Sequence, residues 1–126
     1  MAYHVSKMKF GQLVEAALAG VPAEFAAMLE EVSVEIRDVP GPAELAAVGV
    51  GPGRLLLGLY RGRPRTRRSV EESGYLPDTI LIFQSSIEAV CRNEAELVEQ
   101  VRKTVLHELG HHFGMDEGDL SELGYS

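Results

Sequence analysis

Between Asn93 and Gly114 the chain carries a stretch written for one long helix, and near its end stands His107-Glu108-Leu109-Gly110-His111. Asn93 is a good N-cap residue, and Glu96 three positions on completes a capping-box-like pair. Neither proline nor glycine interrupts from Glu94 until Gly110. Val98, Val101, Val105 and Leu109 recur at spacings of three and four and form a core-facing stripe. An α-helix advances about 100° per residue, so His107 and His111 share one face, roughly 140° from the centre of that stripe. Two imidazoles kept out of the core and one turn apart can reach a single metal ion. Glu108, about 100° round the helix from His107, is poorly placed to ligate that ion but can reach a water in an open coordination position, where a general base belongs. The pattern HExxH is short, but the chain has only 126 residues and four histidines. The amphipathic helix, the glycine at its expected stop and the carboxylates beyond it argue further against a chance match.

A catalytic zinc takes three protein ligands plus water, and no histidine follows His112. The candidates for the third ligand are Asp116, Glu117, Asp119 and Glu122. Gly114 can adopt the left-handed conformation that ends a helix and turns the chain back under the metal. The residue three beyond it, Glu117, is then favoured, with Asp116 next. His112, about 100° from His111, turns towards the apolar side and reads as a packing residue or one that supports a ligand from behind.

The stretch VRKTVLHELGHHFGMDEGDL, with the upstream runs LLLGLYRGRPRTRRSV and YLPDTILIFQSSIEAVCRN, resembles the minimal zincin-like metallopeptidases of bacteria. The resemblance extends over most of the chain. Those proteins are similar to metzincins in their HExxHxxGxx[D/H] pattern. By position this implies zinc ligation by His107, His111 and Glu117 and the general-base role for Glu108. It implies a zinc-dependent peptidase whose peptide or protein substrate lies extended along a sheet edge. Aspartate is usual at the last motif position, where this chain has Glu117. A second expected departure from true metzincins is the absence of a C-terminal subdomain with its methionine turn, since Met115 lies too early to serve as one. Tyr75 and Tyr125 are the phenols considered for stabilising an oxyanion.

Two other functions compete. One is a zinc-binding regulatory or interaction protein that keeps the zincin fold with little or no peptidase activity; Glu108 argues against it, because a structural site closes with four ligands and needs no base. The other is a metal-dependent endoribonuclease of the small bacterial HGxxHxxGxDH type, whose motif has no glutamate after the first histidine and ends in histidine.

Length and charge narrow the class. At 126 residues and 45% hydrophobic content, the expectation is a single domain over residues 1–126 with a sufficient core. The one cysteine, Cys91, fits a reducing compartment. The N-terminal stretch has no continuous apolar segment and no run approaches a membrane span, so a cytoplasmic protein with no membrane partner is expected. A net charge of -7 argues against nucleic-acid binding. Arg61, Arg63, Arg65, Arg67 and Arg68 nonetheless hold five of the twelve basic residues. They read as a solvated loop between strands, given Gly62 and Pro64, or as a rim for an acidic partner. The oligomeric state is not legible.

The coarse architecture is α+β: a small zincin-like domain with a mixed sheet, flanking helices and a long zinc-binding helix packed on the sheet. Helices are expected at Ser6 to Ala19, from Pro22 to Glu30, as a short turn at Ala43 to Ala47, and at Ser85 to Arg92. Strands are expected at Val32 to Ile36, at Leu55 to Tyr60 as a central strand, and at Thr79 to Phe83.

Overall fold

The computed structural model describes residues 3–49, 55–62, 78–114 and 117–122. Helix α1, Lys7–Ala19, starts where Ser6 accepts the Lys9 N–H at 3.0 Å, one of the donors a helix start leaves unpaired. Helix α2, Ala23–Leu29, follows Pro22, whose fixed φ of -60° feeds the first turn. Strand β1, Val32–Arg37, leads to α3, Pro42–Val48, which ends at Gly49 with φ of 68°. Then come β2, Gly58–Arg61, β3, Asp78–Phe83, and the short α4, Gln84–Ala89. The chain reaches α5, Glu94–His112, and a last short helix, α6, Glu117–Glu122.

The sheet order is β1-β3-β2. Strand β1 runs parallel to β3, with Val32 opposite Asp78 and Arg37 opposite Phe83. Strand β2 runs antiparallel to β3, with Gly58 opposite Ile82 and Arg61 opposite Thr79. The residues of β3 explain its central place: Ile80, Leu81, Ile82 and Phe83 are all fully buried, so both faces of this strand need apolar side chains.

The apolar run Leu55 to Tyr60, read from sequence as a central strand, corrects to an edge strand of the described sheet, with its strand limited to Gly58–Arg61. Among the described residues, the apolar character there serves packing beneath α5. Gly58 permits that close approach: a Cβ at this position would stand 2.5 Å from Thr104 Cγ2 and 3.1 Å from the Leu81 carbonyl oxygen.

Helix α5 begins as expected, with Asn93 Oδ1 accepting the Glu96 N–H at 2.9 Å. Its buried face is wider than the valine stripe implied, because Leu97 and Leu106 join Val101, Val105 and Leu109 in the core while Val98 is only partly buried. The helix is covered from two directions, by α1 and by strands β2 and β3. Arg102 ties α5 to α1 through its Nε donating to the Ala17 carbonyl at 3.3 Å. The segment before α1 is fastened to α4 and the residues just after it: the Val5 N–H donates to Glu88 at 2.9 Å, and the Tyr3 N–H donates to the Cys91 carbonyl at 3.1 Å.

Candidate metal centre

The last turns of α5 carry the site. His107 and His111 project from one face, with ring centroids 4.6 Å apart and planes at 72°. His107 is half-buried and His111 exposed, which fits the position of both rings off the core stripe. His112 goes elsewhere. Its ring stacks on Tyr60 at 3.9 Å with 11° between the planes, and its Nε2 lies 3.5 Å from Asp78 Oδ2. The adjacent histidines are thereby sorted by their surroundings, His111 beside His107 and His112 against the sheet.

Glu108 is the third group of the constellation. Burial pushes its carboxyl above the ordinary range; His107, the backbone N–H of Tyr60 and His111 each oppose the shift without cancelling it. A carboxylate made more basic by partial desolvation suits proton transfer near neutral pH. The Tyr60 contact follows from strand register. The Phe83 N–H donates to the Leu57 carbonyl at 3.0 Å, and in an antiparallel pair alternate residues turn their backbone groups towards and away from the partner. Gly58 and Tyr60 therefore present their backbone groups on the outer edge of β2, where Glu108 accepts from Tyr60.

Beside this carboxylate opens a cleft of about 340 Å³, lined by Leu56, Leu57 and Gly58 on the strand side and by Gln100, Lys103, Thr104, His107 and Glu108 from α5. One strand edge and one helix face thus meet at His107 and Glu108.

The chain beyond α5 turns as the sequence implied: Gly114 has φ of 88°, the left-handed conformation. Glu117 stands at the start of α6, with Asp119 and Glu122 exposed further along it. The Glu117 side chain, Asp116, Tyr75, Tyr125 and Arg63 to Arg68 lie outside the described residues. Of the arginine cluster, Arg61 ends β2, half-exposed and 4.0 Å from Glu35. Among the described residues, groups of three or more side chains able to hold a metal are absent. Two imidazoles one turn apart nevertheless have the donor chemistry zinc prefers.

Asp78 and Tyr60 escaped the sequence reading. Asp78 is 3% exposed and accepts the Tyr60 hydroxyl at 2.8 Å while facing His112. Tyr60 in turn supports His112 with its ring and Glu108 with its N–H. Their only sequence signal was a polar residue at the head of an apolar strand.

The architecture is that of a small α+β domain built around one long helix bearing His107, Glu108 and His111. Residues 29–125 match the family described as zincin-like metallopeptidase, and the chain belongs to that family. A solved structure similar to it is a conserved hypothetical protein from Thermus thermophilus, 26% identical, covering 96% of this chain and 100% of its own, with a TM-score of 0.58. Curated proteins yield no match. Among the described residues, no helix is long and apolar enough to cross a membrane.

Proposed function

We propose that this protein is a zinc-dependent peptidase in which His107, His111 and Glu117 hold the metal and Glu108 is the general base. The observation that carries the reading is the joint placement of two imidazoles and a carboxyl of raised pKa beside a cleft lined by β2, an edge strand among the described residues. Zinc, when bound, supplies Lewis-acid polarisation of a carbonyl and a more acidic water. The chain's own residues do the rest. An extended peptide pairs with the outward backbone groups at Gly58, and Tyr60, whose N–H is given to Glu108, ends that pairing at the reacting centre. Glu108 accepts a proton from the attacking water and passes it to the leaving amine. Asp78 and Tyr60 keep His112 against the sheet, so that His111 alone of the pair is available to the metal.

Peptide or protein is the proposed substrate class, residues 1–126 act as one unit, and the protein works in the cytoplasm without nucleic-acid or membrane partners. The acidic net charge of -7 supports the nucleic-acid part of that reading. A second reading, a zinc-binding regulatory or interaction protein, draws support from Glu117 standing at the motif position where aspartate is usual.

Glu108→Gln separates the two. In a peptidase it lowers cleavage of a peptide library by at least about a hundredfold while zinc content, measured by elemental mass spectrometry, stays unchanged. Cleavage that survives the substitution refutes the base assignment, and wild-type protein that holds zinc without cleaving any peptide favours the regulatory reading.

A further inference from the structure

The charges along α5 are paired with a conspicuous exception. Glu94 meets Lys9 at 2.9 Å, Glu96 meets Arg92 at 3.4 Å, and Glu99 meets Arg102 at 2.6 Å. Lys103 makes no hydrogen bond or ion pair among the described residues, although it is half-buried and lines the cleft. It stands one turn before His107, on the same side of the helix. Across from it are Leu56 and Leu57, an apolar wall that lowers the local dielectric and strengthens any charge pair formed there. The neighbouring polar group is already engaged, since Gln100 Nε2 donates to Thr104 Oγ1 at 3.2 Å. Glu108 lines the same cleft.

Lys103 thus sets a cationic group in the cleft one helical turn from His107. We propose that Lys103 recognises a carboxylate of the substrate, so that this cleft selects peptides carrying an acidic side chain or a free C-terminus close to the bond that is cut. The inference rests on the peptidase reading for the bond but not for the recognition. A turn of helix spans about 5.4 Å and an extended peptide about 3.3 Å per residue, which places the carboxylate roughly two residues from the scissile bond.

The test uses the zinc-loaded full chain and fluorescently labelled peptides in matched pairs: glutamate against glutamine at an internal position, and free against amidated C-terminus. Binding is read by anisotropy and cleavage by chromatography, for wild type, Lys103→Met, which keeps the apolar stem, and Lys103→Glu. The expected result is binding about tenfold tighter for the carboxylate-bearing member of a pair, lost in Lys103→Met and reversed in favour of its neutral partner in Lys103→Glu. Preference within the internal pair assigns an acidic side chain, and preference within the terminal pair assigns the C-terminus. Cleavage without carboxylate preference overturns the inference and leaves the peptidase reading standing. Carboxylate-dependent binding without cleavage upholds the inference and overturns the peptidase reading. A preference that persists in Lys103→Met, or no binding and no cleavage, overturns the assignment of Lys103.

Discussion

Replacing Gly58 by alanine tests the contact that sets the distance between β2 and α5. The new Cβ would lie 2.5 Å from Thr104 Cγ2 and 3.1 Å from the Leu81 carbonyl oxygen. Ordinary carbon contacts sit at about 3.5–4.0 Å, so the strand and helix must separate by roughly 1 Å or Thr104 must rotate. Rotation disturbs the Gln100–Thr104 hydrogen bond, and Leu81 O belongs to backbone held in the sheet. Overpacking of this kind costs about 1–3 kcal/mol. We expect a loss of about 2 kcal/mol, a fall in Tm of roughly 8 °C for a chain of this size. Thr104→Ser removes the offending methyl and alone costs about 0.8 kcal/mol. The two substitutions together should cost less than their sum by about 1 kcal/mol, because the serine makes room for the alanine. Urea and thermal unfolding of the metal-free protein measure all four corners without a contribution from metal binding. Strictly additive losses, or a Gly58→Ala protein as stable as wild type, would refute the packing argument.

Asp78→Ala should destabilise the metal-free protein by about 1–3 kcal/mol, since it removes a buried acceptor of the Tyr60 hydroxyl; Tyr60→Phe should lose a comparable amount, and chemical denaturation of both checks this. Glu117→Ala should lower bound zinc well below one per chain by elemental mass spectrometry, and unchanged stoichiometry would reassign the third ligand. Burial pushes the Cys91 thiol up, so the folded protein holds this proton when the unfolded chain releases it. Stability should therefore be unaffected by this group below about pH 8 and fall as pH rises past the unfolded thiol value near 8.5. Denaturant midpoints of wild type and Cys91→Ala between pH 7 and pH 10 should converge towards the alkaline end, and parallel curves would show the thiol to be indifferent. Alkylation of Cys91, 2% exposed, should be slow in native buffer and rapid in urea.

Local signals carried the sequence furthest. The Asn93 cap, the unbroken helix after it and the left-handed Gly114 are each decided within a few residues, and each stands where the pattern put it. The same holds for Ser6 at the start of α1 and for the apolar run of β3. What failed were relations between distant segments. Leu55 to Tyr60 has the composition of a strand buried on both sides, and composition does not say whether a second strand or a helix does the burying. Tyr60, Asp78 and His112 come from two strands and a helix end, and they meet only because the register of β2 on β3 and the packing of α5 bring them together. The position of Lys103 opposite Leu56 and Leu57 is likewise a product of packing.

Helix α5 is the element on which α1, α2, α4, β2 and β3 all lean, and it is made after every one of them. A ribosome therefore releases most of this domain before its organising member exists, and the earlier segments wait with their apolar faces uncovered. The delay also orders events in time. His107 and His111 leave the ribosome in the stretch that lets the core close, so the paired imidazoles and the packed core that positions them arrive together.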